Sequence, residues 1–528
     1  MPLRRGTHIL FFERDSFLQF LRFFLSKSET MSTLISLTSI TSILHVHPDR
    51  AMWSRLYQKW TAYLRQPVDG ASVAAFRFLF GAFLFWEVLW YFRHGWIERY
   101  YIAPTFHFTY PFLDFVRPWP GNGMYIHFTV MGVLALFIAL GLFYRVAAPL
   151  FCLAFAYVFL LDKAYYLNHF YLIVLLSFLL SLVPAHRAAS LDRWLYYRNQ
   201  APVVPQWSVF LLQAQIFIVY FYGGLAKLNP DWLRGEPIRM WLAERTDFPV
   251  IGSTFTWEWV VYAFAHGGLV FDLGICFLLS WKRARPFAFG LAGVFHLVNS
   301  QLFNIGIFPP LAFAATLIFA EPSWPRRVGR AIPRAFAVFW AKAQTLSVPS
   351  ETDILVMPKT GQRPRLVMLA FLHLYLLAQL LIPFRHLLYP GNVSWTEEGH
   401  RFSWHMKLRD KEAILHFYLT DPRTGATWEI SPALDLSARQ LNEMSTRPDM
   451  VLQYAHHLAE RWGGAGQPRP TVRVDLRVSL NGRPWQPLID PNVNLAEAPF
   501  SLGTANWILP LTAPLQSRVE PLSQERHS

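Results

Sequence analysis

At 528 residues, with 53% hydrophobic and 17% aromatic side chains, the chain carries more apolar surface than a water-soluble globule hides, which excludes an ordinary soluble enzyme. A net charge of +14 would suit a nucleic-acid binder, but Lys and Arg stand mainly at the ends of apolar runs, so the charge reads as membrane topology and no nucleic-acid partner is expected. Cys152 and Cys276 both lie inside apolar runs, where a cysteine serves as a small hydrophobe rather than half of a disulfide or metal pair.

Residues 1–48 lack periodicity, and their apolar stretch is broken by Glu13, Arg14 and Asp15, so they read as a poorly defined extension without a cleavable signal. Residues 49–390 read as a transmembrane helical domain with spans near 70–92, 125–143, 146–161, 168–184, 207–226, 257–280, 286–301, 306–320 and 366–388. That gives about nine crossings; some are short, and Pro184, Pro309 and Pro310 fit kinked or re-entrant ends. Arg55, Lys59, Arg65, Arg145, Arg187, Arg193, Lys282, Arg283, Arg285, Arg326, Arg327 and Arg330 fall in alternate connections, which marks that side as cytoplasmic. Everything after Leu388 then lies outside the cytoplasm, in a protein of the cytoplasmic membrane. Residues 391–513 change texture: strand-like Ile414–Leu419 and Thr471–Leu480 flank a helical stretch from Leu436 to Trp462, with turn residues at Asp421–Gly425 and Asn481-Gly482. The expected fold is a polytopic α-helical membrane protein with an extramembrane α+β or β-sandwich-like domain, and residues 514–528 read as a disordered tail.

Three polar clusters interrupt the apolar spans, and under the proposed alternation all three lie at the same, non-cytoplasmic end. The first runs Asp162-Lys163-Ala164-Tyr165-Tyr166-Leu167-Asn168-His169-Phe170-Tyr171-Leu172. The second is Gln215-Ile216-Phe217-Ile218-Val219-Tyr220-Phe221-Tyr222-Gly223-Gly224-Leu225-Ala226-Lys227-Leu228-Asn229-Pro230-Asp231-Trp232, and the third Phe295-His296-Leu297-Val298-Asn299-Ser300-Gln301-Leu302-Phe303-Asn304-Ile305-Gly306. Ionisable groups at such depth are costly unless paired or functional, so one shared cavity is the economical reading. Taken singly, each cluster could equally be an interfacial anchor, with Tyr and Trp in the headgroup zone and a snorkelling Lys.

These three motifs, in this order, resemble the vitamin K-dependent γ-glutamyl carboxylases in their bacterial, HTTM-domain form. The similarity runs from about Trp53 through Phe402-Ser403-Trp404-His405-Met406 and, more loosely, to about Leu495. The resemblance implies that a reduced vitamin K or another naphthoquinol, with O2, yields an epoxide and a strong base. That base strips a γ-proton from glutamate so that CO2 can add; no metal is implied. By the same resemblance Lys227 is the catalytic base and His169 assists at the carbanion. A lysine drawn out of water at a helix end can hold a neutral amine able to deprotonate a quinol. Asn168 and Asp162 are assigned to the quinol site, as are His296, Asn299 and Gln301, and Tyr220, Phe303, Trp404 and Met406 would line an apolar pocket for the ring. Core packing or a structural hydrogen-bond network is the competing reading for these lining residues. The implied partners are membrane lipid, the quinol and a Glu-containing secreted or membrane peptide.

Three departures from the animal enzymes are visible. The C-terminal domain is smaller, a cysteine pair suited to a disulfide on the extramembrane face is lacking, and His405 stands where those enzymes carry an acidic residue. The rival class is a transporter or lipid-binding protein on the same scaffold, which would need no amine at the depth of Lys227. A haem-bearing electron-transfer subunit would need paired histidines on facing spans, and His169, His266, His296 and His373 are not so spaced.

Overall fold

The computed structural model describes residues 50–303, 305–331, 362–463 and 468–515. Contacts divide the chain into Met1–Tyr63 and Leu64–Ser528. The described part of the first unit lies in α1 (Arg50–Arg65), where Thr61 Oγ1 donates to Gln58 O at 3.1 Å. The expected extension 1–48, Asn304 and the tail beyond Leu515 lie outside the described residues.

The second unit continues with α2 (Ala71–Arg93), α3 (Gly123–Leu140), α4 (Tyr144–Leu161), α5 (Asn168–Leu182), α6 (Gln206–Ala226), α7 (Glu258–Ser280), α8 (Arg285–Leu302), α9 (Phe308–Thr316) and α10 (Gln362–Leu381). All nine expected segments are therefore helical. Among the described residues six are long and apolar enough to cross a membrane: α2, α3, α4, α6, α7 and the stretch Val367–Leu388, in which α10 tightens into a 3-10 turn over Ile382–Leu388. The other three are α5, which has 15 residues, α9, which has 9, and the less uniformly apolar α8. Pro184 follows the end of α5, and Pro309 and Pro310 sit in the first turn of α9, where a missing N–H leaves no helical bond unmade. Gly81 lets α2 approach α3, since a Cβ there would stand 2.5 Å from the Ala139 nitrogen.

The connections gather at two ends of the bundle. At one end β1 (Pro67–Asp69) pairs antiparallel with β2 (Val203–Pro205), Arg326 grips Asp69 through Nε at 2.7 Å, and Asp192 accepts from the Phe143 and Tyr144 amides at 2.7 and 2.8 Å. At the other end the connections after α2, α4 and α6 all touch the C-terminal domain, and so does Phe303 at the end of α8. Gln440 Nε2 reaches Phe106 O at 2.8 Å, Lys163 Nζ reaches Asp449 at 2.9 Å, Arg483 clasps Asp231, and the Lys407 ammonium stands 5.9 Å from the Phe303 ring. The strongly basic connections of the sequence are those of the first end. The alternation expected from the charges is thus the alternation of the fold.

The C-terminal domain holds one four-stranded antiparallel sheet, order β4-β3-β5-β6, from β3 (Lys411–Thr420), β4 (Thr427–Ile430), β5 (Thr471–Leu480) and β6 (Gln486–Pro487). The β3–β5 register runs from Lys411 opposite Leu480 to Thr420 opposite Thr471. Strict alternation in β5 points Val472, Val474, Leu476 and Val478 inward, into a core shared with Met444, Met450, Tyr454 and Leu458. Those last four belong to α11 (Ala438–Ser445), opened by a Ser437–Gln440 capping box, and α12 (Pro448–Trp462). Helices close the buried face of a single sheet, so of the two expected architectures the domain is α+β and not a sandwich.

Candidate active site

The last turn of α6 ends at Ala226, and Lys227 caps it with its amide bonded to Gly224 O at 3.0 Å. Asn229 stops the chain continuing as a helix: its side chain accepts from the Trp232 amide at 3.0 Å and donates to Ala226 O at 2.9 Å, starting the short turn Pro230–Leu233. The turn folds Trp232 beneath Lys227, with Nζ 5.2 Å from the ring centroid, and Trp232 Nε1 donates to Ala265 O on α7 at 2.8 Å. Two helical turns further along α7, Asp272 meets Lys227: Nζ to Oδ2 is 2.5 Å, and Nζ also approaches Gly223 O at 3.3 Å. Lys227 and Asp272 are 7% and 5% exposed.

An ammonium in contact with a carboxylate carries no net charge as a pair, and neither does an amine beside a carboxylic acid. That is what permits a lysine here at all. The picture of an amine kept neutral by desolvation alone is incomplete, because it has no place for Asp272. An acid inside a span calls for a cationic partner, so Asp272 within 257–280 is a signal present in the sequence, beside the motif residues. Gly223 lies against the same pair: a Cβ there would come 2.9 Å from the Met406 Cε and 3.4 Å from Asp272 Oδ2. The absent side chain leaves room for half-buried Met406 and the carboxylate against the same point of α6.

From Asp272 an aromatic run leads across the bundle. Phe271 meets the Tyr220 ring at 5.9 Å; Tyr220 Oη and His296 Nε2 are hydrogen-bonded at 2.6 Å; Phe308 packs on His296 at 6.3 Å and on the His169 ring at 5.8 Å. Five helices, α5 to α9, thus contribute one ring or more. His169 has no hydrogen-bond partner among the described residues, so its ring nitrogens are available to a bound molecule. Asn168 Nδ2 donates to His405 O at 3.0 Å, while its Oδ1 accepts from Tyr166 Oη at 3.1 Å.

The domain segment 402–407 enters this region in an unusual backbone state. Phe402, Trp404 and Lys407 have φ of 67°, 56° and 49°, a conformation that costs bulky residues energy and that is held here by surrounding contacts. The Phe402 amide donates to Tyr166 Oη at 2.7 Å, and Trp404, fully buried, packs on Tyr171 at 4.9 Å. His405 is buried against His386, its ring centroid 4.6 Å away; burial, followed by repulsion from His386 and Arg409, pushes its imidazole down to about 3, so it is neutral.

The remaining expected residues are placed differently. Asp162 is fully buried but occupied, accepting from Gln440 Nε2 at 2.7 Å and the Ala164 amide at 2.8 Å and pairing with His107 at 3.1 Å, so it ties the α4–α5 turn to the domain. Phe303 packs beside Trp241 at 5.7 Å, under Lys407. Asn299 is half-buried, and Gln301 is exposed, with its backbone oxygen accepting from Arg245. The contacts join Lys227, Asp272, Tyr220, His296 and His169, with Met406 against Gly223; Asn168 and Trp404 are held by Tyr166 and Tyr171 and Phe303 by Trp241, and among the described residues no side-chain hydrogen bond or ring contact ties Asp162, Asn299 or Gln301 to the group. Among the described residues no group of three or more His, Cys, Asp or Glu is placed to hold a metal ion.

Two protein families match this chain. The HTTM domain covers residues 65–324, and the family described as vitamin K-dependent gamma-carboxylase, lumenal domain, covers residues 364–514. No solved structure matches it.

Proposed function

This chain belongs to the vitamin K-dependent γ-carboxylase family that carries an HTTM domain, and from that premise we propose that it oxidises a naphthoquinol with O2 to the epoxide and uses the strong base so formed to carboxylate glutamyl residues with CO2. The observation that carries the reading is the Lys227–Asp272 pair, buried at the end of α6 that faces the C-terminal domain, with Met406 beside it and Trp232 beneath.

The pair acts as one proton acceptor. The quinol hydroxyl proton passes to Lys227 Nζ as an Nζ proton passes to Asp272 Oδ2, so the quinol becomes an anion while the pair gains one positive charge beside it. No lone charge is left in the low-dielectric interior at any point. The ring would lie against Tyr220, Met406 and Trp404, whose flat or polarisable faces suit a naphthalene system. Asn168 and the unpartnered His169 would supply donors as negative charge develops on glutamate, and His296, held by Tyr220, would orient that wall, with Asn299 and Phe303 further along α8 and at its end. Asp162 and Gln301 serve the site at most through the frame around it.

In this reading the C-terminal domain and the Lys227 end lie outside the cytoplasm, within reach of a secreted or membrane-bound Glu-containing peptide, and the basic connections lie inside. A reporter fused after Tyr389 is expected to be active outside and one fused near Arg330 inside; reversed signals would contradict the shared orientation. The activity itself is tested on purified protein in detergent, given vitamin K hydroquinone, bicarbonate as the CO2 source and a Glu-containing peptide. Epoxide is read by chromatography and γ-carboxyglutamate by mass. Epoxide that depends on Lys227 supports the reading, and no epoxide from folded wild-type protein over a range of naphthoquinols would sink it.

A further inference from the structure

The hairpin turn between β5 and β6 reaches from the C-terminal domain into the turn that follows Lys227. Asp231, four residues after the lysine, receives Arg483 in fork geometry, Nη2 to Oδ1 at 2.6 Å and Nη1 to Oδ2 at 2.7 Å, and Asn481 Nδ2 adds a third bond to Oδ2 at 2.8 Å. The Arg483 and Asp231 side chains are 8% and 10% exposed, so water screens little of the attraction. The hairpin is itself pre-shaped. Asn481 and Gly482 have φ of 52° and 75°, Asn481 Oδ1 accepts from the Asp410 amide at 2.8 Å, and Ser479 Oγ holds Arg483 O at 2.8 Å.

What Asp231 controls is visible in its neighbours. It lies in the single turn Pro230–Leu233, next to Trp232, whose ring forms the floor under the Lys227 ammonium and whose Nε1 is tied to α7 two turns from Asp272. Moving Asp231 moves Trp232, and with it the direction from which Nζ meets Asp272. We propose that Arg483 and Asp231 are positioning residues for the base: the extramembrane domain clamps the Asp231–Trp232 turn and thereby sets the Lys227–Asp272 contact. The domain then takes part in quinol oxidation itself and not only in holding a protein substrate. This rests on the reading of Lys227 as the base.

The consequence separates clamp from scaffold. Arg483→Gln and Asp231→Asn are expected to lower kcat for epoxide formation 10- to 100-fold while the KM for vitamin K hydroquinone stays within twofold, because the quinol walls are untouched and the acceptor is misplaced. Arg483→Lys, which keeps a cation but loses the fork, should recover part of kcat. The double variant Asp231→Asn/Arg483→Gln should be less impaired than Arg483→Gln alone, since no buried charge is left unpartnered. Thermal melts and limited proteolysis confirm that the domain remains docked; if Arg483→Gln fails to fold, Arg483→Lys and the double variant decide the matter. Epoxidation kcat within twofold of wild type in these docked variants, or a loss confined to peptide carboxylation, would overturn the clamp. Lys227→Ala assayed alongside distinguishes the two ideas: epoxide surviving there overturns the base, whereas epoxide lost there but intact in Arg483→Gln overturns only the positioning.

Discussion

Two lysines are buried at the same end of this bundle, each against an aspartate, and they are built for different work. Lys163, on the turn between α4 and α5, reaches Asp449 at 2.9 Å, but Arg401 takes the same oxygen at 2.8 Å and Asp449 is itself 36% exposed. Two cations share one carboxylate, and although burial alone would raise it, Arg401 and Lys163 hold Asp449 well below the usual carboxylate range, so it is no acceptor for a lysine proton. Lys227 has Asp272 to itself among the described residues, and both are buried. Depth alone does not make a base; an unshared partner that can take a proton does.

The comparison breaks most sharply at Asp272. Asp272→Asn keeps an oxygen for Lys227 to bond but cannot accept its proton, so epoxide formation should fall about 100-fold or more with quinol KM little changed, as expected for loss of acid–base catalysis. Asp272→Ala should in addition destabilise the protein by about 3–5 kcal/mol, because it strands a buried charge. Wild-type epoxidation in folded Asp272→Asn would put the two lysines in one class.

Lys163→Met should do the reverse. Asp449 keeps Arg401 and solvent, so the loss is about 1–2 kcal/mol in thermal unfolding, near that of a charged hydrogen bond, and epoxidation per folded molecule should stay within about threefold. Abolished epoxidation in folded protein would give Lys163 the role assigned here to Lys227.

The domain side of the junction has a pH signature. Burial alone would raise the Glu397 carboxyl, but Arg409, Lys411 and Arg447 outweigh it and hold it below the usual carboxylate range. A depressed carboxyl adds stability that is present above the unfolded value of about 4.3 and is lost as pH falls through the folded value. Melting temperature should therefore drop on acidification below about pH 4, and Glu397→Gln should flatten that limb while lowering stability at pH 7. An unchanged acid limb would show that another group carries it.

Gly223→Ala is the gentlest probe. The added methyl meets the far end of a flexible methionine at 2.9 Å, so Met406 can yield, and a severalfold rise in quinol KM with kcat nearly unchanged is expected. Loss of kcat alone would mean that the methyl disturbs the ion pair instead.

Much of the architecture was readable because its signals are local. Apolar runs gave all nine helices, alternate basic connections gave the two ends that the contacts later joined, and strict alternation in Thr471–Leu480 gave β5 residue for residue. The sandwich alternative survived because the sequence does not say what covers a sheet face; α11 and α12 do. At the site, motif residues such as Lys227, His169, Tyr220 and His296 could be named in advance; an acid within 257–280 signalled a cationic partner, but not which one. Asp272 is 45 positions from Lys227, Asp231 and Arg483 are 252 apart, and Asp162 turned toward Gln440 rather than the aromatic run. Pairing across such separations is a property of packing and leaves no spacing to read.

The central claim, that Lys227 accepts a proton together with Asp272, is tested most directly by epoxide formation in purified Lys227→Arg. Guanidinium can pair with Asp272 and fill much of the same space, yet it stays protonated at any accessible pH and cannot take the quinol proton. The account predicts a folded protein with near wild-type melting and epoxide no higher than in Lys227→Ala. Full epoxidase activity in Lys227→Arg would show that this residue only anchors the end of α6.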